Sequence, residues 1–515
     1  MAKYKPYSYS QGQFIPVFFS KQIQPGTFEY TLNYLIDNEL DLSIFDNRFC
    51  NDITGAPAYD PRILLKVILF AYSRGITSSR KMAKCCEENV VFMALSANSK
   101  PHFTTIAEFI SSMNKEVTHL FLQVLLVCDH QQLIGKEMFA IDGCKLPSNA
   151  AKEWSGTKAD FTKKIEKMET AIKRMVEQHC AQDKSPVETA EETKETQYVE
   201  KLQKNVAKIK KWLAENKDRK GSGGKPIKSN ITDNESAKMK TSKGVIQGYV
   251  GVAAVDQKNQ VIVNAEAFGQ GQEHDLLAPS IEGIRQNFEA IGDKGDVFKD
   301  AKLTADSGYH SEKNMERVFS ENIDAYIADP NFRKRDPRFV SAERYKELQR
   351  EKAGKSRNGK MFTTADFTFP EDFSYCVCPA GKRLYRSGYN VTVKNFKAIK
   401  FNGPKSACLP CKLRARCLRK PEKTEIRQVA YFTGKSATGE QRFTEKMKQK
   451  IDSTLGRAIY GMRLAVGEPP FAHIRSALGL DRFTLRGKQK VNTQWNLFCI
   501  VHNLKKIFNY GVGFA

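Results

Sequence analysis

Phe139-Ala-Ile-Asp-Gly-Cys-Lys145 and Leu303-Thr-Ala-Asp-Ser-Gly-Tyr309 each set an aspartate at the end of a short apolar run. Runs of this kind read as buried strands, so Asp142 and Asp306 are expected at strand ends. A third carboxylate, Glu468 in Tyr460-Gly-Met-Arg-Leu-Ala-Val-Gly-Glu468, lies in a basic segment expected to be helical. An aspartate alone at a strand end is commonly a turn residue or a helix cap. Here Gly143 follows Asp142, and Ser307-Gly308 follows Asp306; small neighbours let a metal ion and a phosphate approach the backbone. Converging carboxylates suit hard divalent cations such as Mg²⁺. Two such ions can clamp the attacking and the leaving oxygen of a phosphodiester together.

The surrounding pattern sets the fold class. Gly248–Val255 and Val261–Phe268 flank Asp256–Gln260 and read as a hairpin. A helix is expected from about Leu276 to Ile291, with Asp275 as its N-cap rather than a metal ligand beside His274. Ser311 can cap a helix over Glu312–Phe319, and Ala325–Ala328 reads as one more strand. This succession fits an α/β, ribonuclease-H-like core with long insertions behind its first strand.

Residues 1–135 read as a helical N-terminal domain. Asp60-Pro61 opens a helix with an apolar face of Ile63, Leu64, Val67, Ile68 and Phe70, and Gly75 ends it. A second helix is expected from Thr77 or Ser78 through Met82, Cys85 and Val90. The pair resembles a helix-turn-helix exposing Ser79, Arg80, Lys81 and Lys84, although an ordinary helical hairpin fits the same pattern. Within 160–220, Ile165, Met168, Ile172 and Met175, then Val199, Leu202, Val206, Ile209 and Leu213, form heptad-like stripes. Separated by the polar stretch Asp183–Gln197, they predict an antiparallel helical hairpin, with Gly221–Gly224 as a linker. The domain boundaries expected are 1–135, 136–330 including that hairpin, 331–425, and 426–515 carrying the glutamate.

Residues 331–425 interrupt the core. Asn331–Lys360 holds eleven Lys or Arg against four Asp or Glu, a DNA-contact candidate or a loop. Cys378, Cys408, Cys411 and Cys417 follow, with Cys376 as a spare. Four thiolates are a tetrahedral Zn²⁺ set that could hold together a module with little core. Only one tight Cys-x2-Cys pair is present, so reduced, unliganded thiols stay open as the other reading.

The chain has 515 residues, and its 82 Lys and Arg against 58 Asp and Glu give a net charge of +24. Such an excess favours a polyanion, because each neutralised phosphate releases counterions; an anionic membrane surface is the competing partner. No apolar run reaches spanning length, and Met-Ala-Lys-Tyr-Lys-Pro leads into no signal-peptide core. A cytoplasmic protein without a membrane partner is expected, its 12 cysteines serving as thiols or metal ligands.

These segments resemble the DDE transposases of bacterial insertion sequences, most closely the insertion-sequence 1182 type related to families 4 and 5. Ile141-Asp-Gly-Cys-Lys-Leu-Pro-Ser-Asn-Ala150 is similar to the first-aspartate motif and Ala305-Asp-Ser-Gly-Tyr-His-Ser311 to the second. Tyr460-x2-Arg463-x4-Glu468-x6-Arg475 resembles the tyrosine–arginine–glutamate–lysine signature. Arg475 stands where lysine is usual, and the Arg463–Glu468 spacing is one residue longer. Cys144 and Tyr249-Val250 replace more polar residues. Tyr59–Leu65, Gly75–Arg80, Gly479–Gly487 and Val501–Lys506 also match, so the resemblance covers nearly the whole chain.

The resemblance implies that Asp142, Asp306 and Glu468 hold two Mg²⁺ or Mn²⁺ ions. It implies cleavage at transposon terminal inverted repeats and strand transfer into target DNA. Tyr460, Arg463 and Arg475 would contact phosphates; Arg80 and Lys81, exposed in the helix-turn-helix reading, are the DNA-binding candidates of the N-terminal domain. A dimer on DNA at the bacterial nucleoid is expected. A non-catalytic, domesticated DNA-binding protein and a nuclease that cuts without joining are the alternatives.

Overall fold

The computed structural model describes residues 17–48, 57–182, 190–220, 224, 226–241, 244–339, 341, 361–393, 396–436 and 439–513. The N-terminal Met-Ala-Lys stretch, residues 221–223 of the linker, residues 183–189 and most of the basic stretch after Phe339 lie outside the described residues. The chain is mixed α/β with a helical N-terminal region. It divides into two compact units, residues 1–301 with 463–515, and residues 302–462.

In the first unit, helices α1 (Phe28–Tyr34), α2 (Pro61–Ser73), α3 (Ser79–Glu88), α4 (Val90–Leu95), α5 (Phe103–Ser112) and α6 (Glu116–His130) come first. The Asp60 carboxylate accepts the Arg62 N–H at 2.8 Å, with Pro61 at the first helical position, and Gly75 leaves the helix at φ +73°. Every residue from Leu64 to Tyr72 is buried rather than one face alone. Lys66 enters by pairing with Asp37 at 2.6 Å. The expected single second helix is two: the Asn89 side chain accepts from Val91 and Phe92, which ends α3 and caps α4.

Strand β1 (Met138–Pro147) runs past Asp142 instead of ending there. Cys144 and Leu146 continue the inward alternation, and Asp142 lies opposite Ala253 of β3 (Gly244–Asp256) in an antiparallel register. β2 (Ala237–Thr241) and β4 (Ile262–Phe268) also pair antiparallel with β3. The β3–β4 hairpin is the one the sequence predicts. Its turn is closed by the Asp256 carboxylate, which accepts the Gly135, Lys136 and Lys258 N–H groups at 2.9 Å.

Between β1 and β2 stand α7 (Lys158–Gln182) and α8 (Ala190–Glu215). They are antiparallel: Phe161 meets Trp212 edge-on, centroids 5.0 Å apart, and Lys210 meets Glu169 at 2.7 Å. Phe161, Ile165, Val206, Ile209 and Trp212 give the hairpin its own core. Helix α9 (Leu277–Ala290) follows β4, but Asp275 does not cap it. Leu276 occupies the cap position without a side-chain bond, one residue beyond Asp275, and the Asp275 carboxylate lies 3.5 Å from His274.

In the second unit, β5 (Lys302–Ala305) and β6 (Asp324–Ile327) are parallel. α10 (Glu312–Ser320) joins them, capped as expected by Ser311, whose hydroxyl accepts the Asn314 N–H at 3.3 Å. Strands β7 (Tyr375–Val377), β8 (Arg383–Val393), β9 (Phe396–Asn402) and β10 (Gln428–Ser436) form a four-stranded antiparallel sheet. Its core is small: Phe367, Cys376, Leu384, Ile399, Phe401 and Val429. Helix α11 (Phe443–Asp452) and then α12 (Thr454–Ala472) follow. α13 (Lys488–Tyr510) belongs to the first unit, where it is buried along most of its length.

Candidate active site

Asp142 is half-buried on β1. Its Oδ1 accepts the Gly143 N–H at 2.8 Å, and its Oδ2 lies 3.2 Å from Nη1 of Arg463. The Arg463 side chain is 7% exposed. A guanidinium that deep is stable only beside an anion, so the pair fixes where α12 meets β1. One turn on, Gly467 continues the contact. A Cβ placed there would stand 3.7 Å from the Cβ atoms of Ala140 and Asp142. The turn bearing Glu468 therefore lies against the strand beside Asp142, with Glu468 itself exposed.

Two prolines follow the glutamate. Neither Pro469 nor Pro470 has an N–H to give the carbonyl four residues back. The carbonyl of Ala465, which Pro469 leaves without its helical donor, accepts instead from Gln260 Nε2 at 2.9 Å. Gln260 sits in the β3–β4 turn at φ +59°. Its own carbonyl faces His502 Nε2 at 2.9 Å, and its Oε1 accepts from Lys506 at 3.1 Å. His502 Nδ1 in turn lies 2.9 Å from Nδ1 of His473. With Nε2–H given to Gln260, neutral His502 accepts at Nδ1 and His473 donates. Burial pushes both imidazoles down, His502 to about 3, with the nearby Lys505 and Lys506 charges adding to the effect on His473. Gln260, Gly467 and the two histidines thus hold the acid-bearing helix. The sequence reading did not single them out; the visible signal was Glu468-Pro-Pro470, which obliges a foreign donor for Ala465.

Arg475 is exposed in the wide turn His473–Ala477. Burial pushes the Cys144 thiol up to about 12, and the Arg475 charge opposes that shift, which places its guanidinium toward the Asp142 segment of β1. Arg80 and Lys81 are exposed on α3, the former with its guanidinium 4.6 Å from the Phe103 ring centre.

Of the expected catalytic and phosphate-contacting residues, two belong to the second unit. Asp306 directly follows β5, half-buried, and its carbonyl accepts the Tyr309 N–H at 3.0 Å. Tyr460 on α12 meets the Phe332 ring edge-on, centroids 5.1 Å apart. Among the described residues, no three His, Cys, Asp or Glu side chains are gathered as a metal-binding group. Carboxylate oxygens are the donors that hard divalent cations take.

Residues 377–508 match the family described as Transposase DDE domain, and residues 17–112 match Transposase domain (DUF772). The first match contains Tyr460, Arg463, Glu468, Arg475 and the four clustered cysteines; it begins beyond Asp142 and Asp306. The second contains Arg80 and Lys81. No curated protein matches the chain. The two matches support a transposase of an insertion sequence. No described helix is long and apolar enough to cross a membrane.

Proposed function

We propose that this chain is a DDE transposase of the insertion-sequence 1182 type, with a ribonuclease-H-like core, that cleaves DNA at transposon ends and joins the freed strand to target DNA. The observation that carries this reading is the seating of α12 on β1, through the 3.2 Å Arg463–Asp142 pair and Gly467. It supports a partnership between Glu468 and Asp142. The order of elements, an antiparallel β1–β3–β4 set followed by helix, strand, helix and parallel strand, supports the core.

Asp142, Asp306 and Glu468 would hold the divalent cations. When bound, those ions supply an activated oxygen nucleophile and relief of the charge that builds on the phosphate. Arg463 holds the Asp142 carboxylate in place, and Gly467 leaves room beside it. Arg475 and Tyr460 take phosphates flanking the scissile bond, where an arginine fork matches two oxygens. Arg80 and Lys81 on α3 add phosphate contacts that position the duplex. The freed 3′ hydroxyl attacks target DNA directly, so no serine or tyrosine nucleophile is assigned. A dimer on two transposon ends, acting at the bacterial nucleoid, completes the reading.

The test uses purified protein, a labelled duplex carrying the DNA ends that flank the gene, and Mg²⁺ or Mn²⁺. Nicked and joined products that vanish in Asp142→Ala are expected. Nicks without joining would support a nuclease. DNA binding without cleavage in either metal would support a domesticated binder and overturn the proposal.

A further inference from the structure

The loop module of the second unit gathers four thiols that the proposed chemistry does not use. Cys378 directly follows β7 at a tight turn, where Gly381 at φ +73° gives its N–H to the Cys378 carbonyl at 2.8 Å. Cys408 and Cys417 each close a one-turn helix, Lys405–Cys408 and Arg414–Cys417, and Cys411 lies between them. All four line one cavity of about 30 Å³. That is room for a single water-sized occupant, too little for an organic ligand. The Cys408 sulfur rests on Gly403, where a Cβ would come within 2.5 Å of it. Cys376, the spare in the sequence, is a core residue with no exposure.

Two arginines tie the backbone around this cavity. Arg414 gives Nη1 to the carbonyls of Cys408 and Glu425, and Nη2 to those of Pro421 and Thr424, at 2.6 to 2.9 Å. Arg427 gives Nη1 to the Cys417 carbonyl at 3.0 Å and Nη2 to Phe362 at 3.3 Å. Its Nε is buried without a partner, although it lines the same cavity. An unanswered buried donor is costly, and the acceptors available here are sulfurs.

We propose that Cys378, Cys408, Cys411 and Cys417 bind one structural Zn²⁺ as a tetrathiolate, with Arg427 donating to a ligand sulfur. The four side chains share a cavity, but among the described residues no three of them already stand as a metal-binding group, so binding requires the thiols to move closer together. The need is physical: a four-stranded sheet resting on six buried residues is the kind of module that a metal staple stabilises.

The test is metal analysis of the full-length protein purified without chelator, away from DNA, so that its outcome is independent of any strand-transfer activity. About one zinc per chain is expected, released in step with thiol titration by a mercurial. Cys411→Ser should lose most of it, while Cys128→Ser, a core cysteine elsewhere, keeps it. Cobalt substitution should give the absorption bands of tetrahedral thiolate coordination. Should Cys411→Ser fail to fold, a competing chelator on wild-type protein serves: zinc removal should lower the melting temperature of the 302–462 unit. Zinc below a tenth of an equivalent with four freely titrating thiols, a disulfide among the four, or zinc whose removal leaves melting unchanged would each overturn the proposal.

Discussion

Arg463 and Asp142 are a pair in which each side chain makes the position of the other affordable to the fold. Removing one partner of a buried pair costs about 3 to 5 kcal/mol, and the 21% exposure of the Asp142 side chain moves the expectation to the lower end. Arg463→Ala should therefore destabilise the protein by about 3 kcal/mol in urea unfolding and abolish cleavage. Asp142→Asn, which keeps the shape, should abolish cleavage while duplex binding persists. Gly467 makes a sharper case. An added methyl would meet β1 at ordinary contact distance, 3.7 Å, and alanine is the better helix former by about 1 kcal/mol. Gly467→Ala should keep or raise the melting temperature. Gly467→Leu should lower it, since overpacking costs about 1 to 3 kcal/mol, and should displace the Asp142 carboxylate.

At the scale of elements, the β3–β4 turn and α12 are coupled through one side chain. Gln260→Ala should cost about 1 kcal/mol, but much less in a Pro469→Ala background, where the restored N–H can bond Ala465. Additive losses in a double-mutant cycle would refute the coupling. The buried His473–His502 contact predicts an acid limit. His502 is held below its ordinary 6.5, at about 3, by burial, so the fold keeps its neutral form. Its contribution is whole above about pH 6.5 and is lost progressively as pH falls toward 3. Melting temperature against pH should show this slope, and His502→Asn should flatten it.

Much of this scale was legible in the sequence. Two apolar runs flanking Asp256–Gln260 announced the β3–β4 hairpin, heptad spacing announced α7–α8, and Ser311 announced α10. Local signals failed where a neighbour distant in sequence decided. Nothing near Asp142 says that β1 continues, because the pairing that extends it, Cys144 with Gly251 and Leu146 with Tyr249 of β3, is made with residues about a hundred positions away. Asp275 has a capping residue's chemistry, but the helix starts one position later. Glu468 and Asp142 were each visible as carboxylates. Arg463 as the clasp between their elements was not, because sequence patterns give faces and not contacts.

The whole molecule carries +24, and its duplex affinity should fall steeply and log-linearly with salt. If six or more phosphates are contacted, the loss between about 50 and 200 mM is on the order of 10³-fold; a shallow slope would mean that the excess charge faces elsewhere. The first unit also has an unusual order of assembly. α13 is its central pillar: Phe498 stacks on Tyr72 of α2 at 4.4 Å, Trp495 gives its N–H to Val252 of β3, Asn503 bonds both backbone groups of Ile262 on β4, and Thr493 reaches Asn114. All of those partners are synthesised long before it. At about 5 to 20 residues per second, the ribosome spends about 8 to 32 seconds on residues 302–462 while the helices and strands of the first unit wait for α13. Until residues 488–510 emerge, the apolar surface they cover stays open, and a message broken upstream of them yields a product that lacks this buried helix.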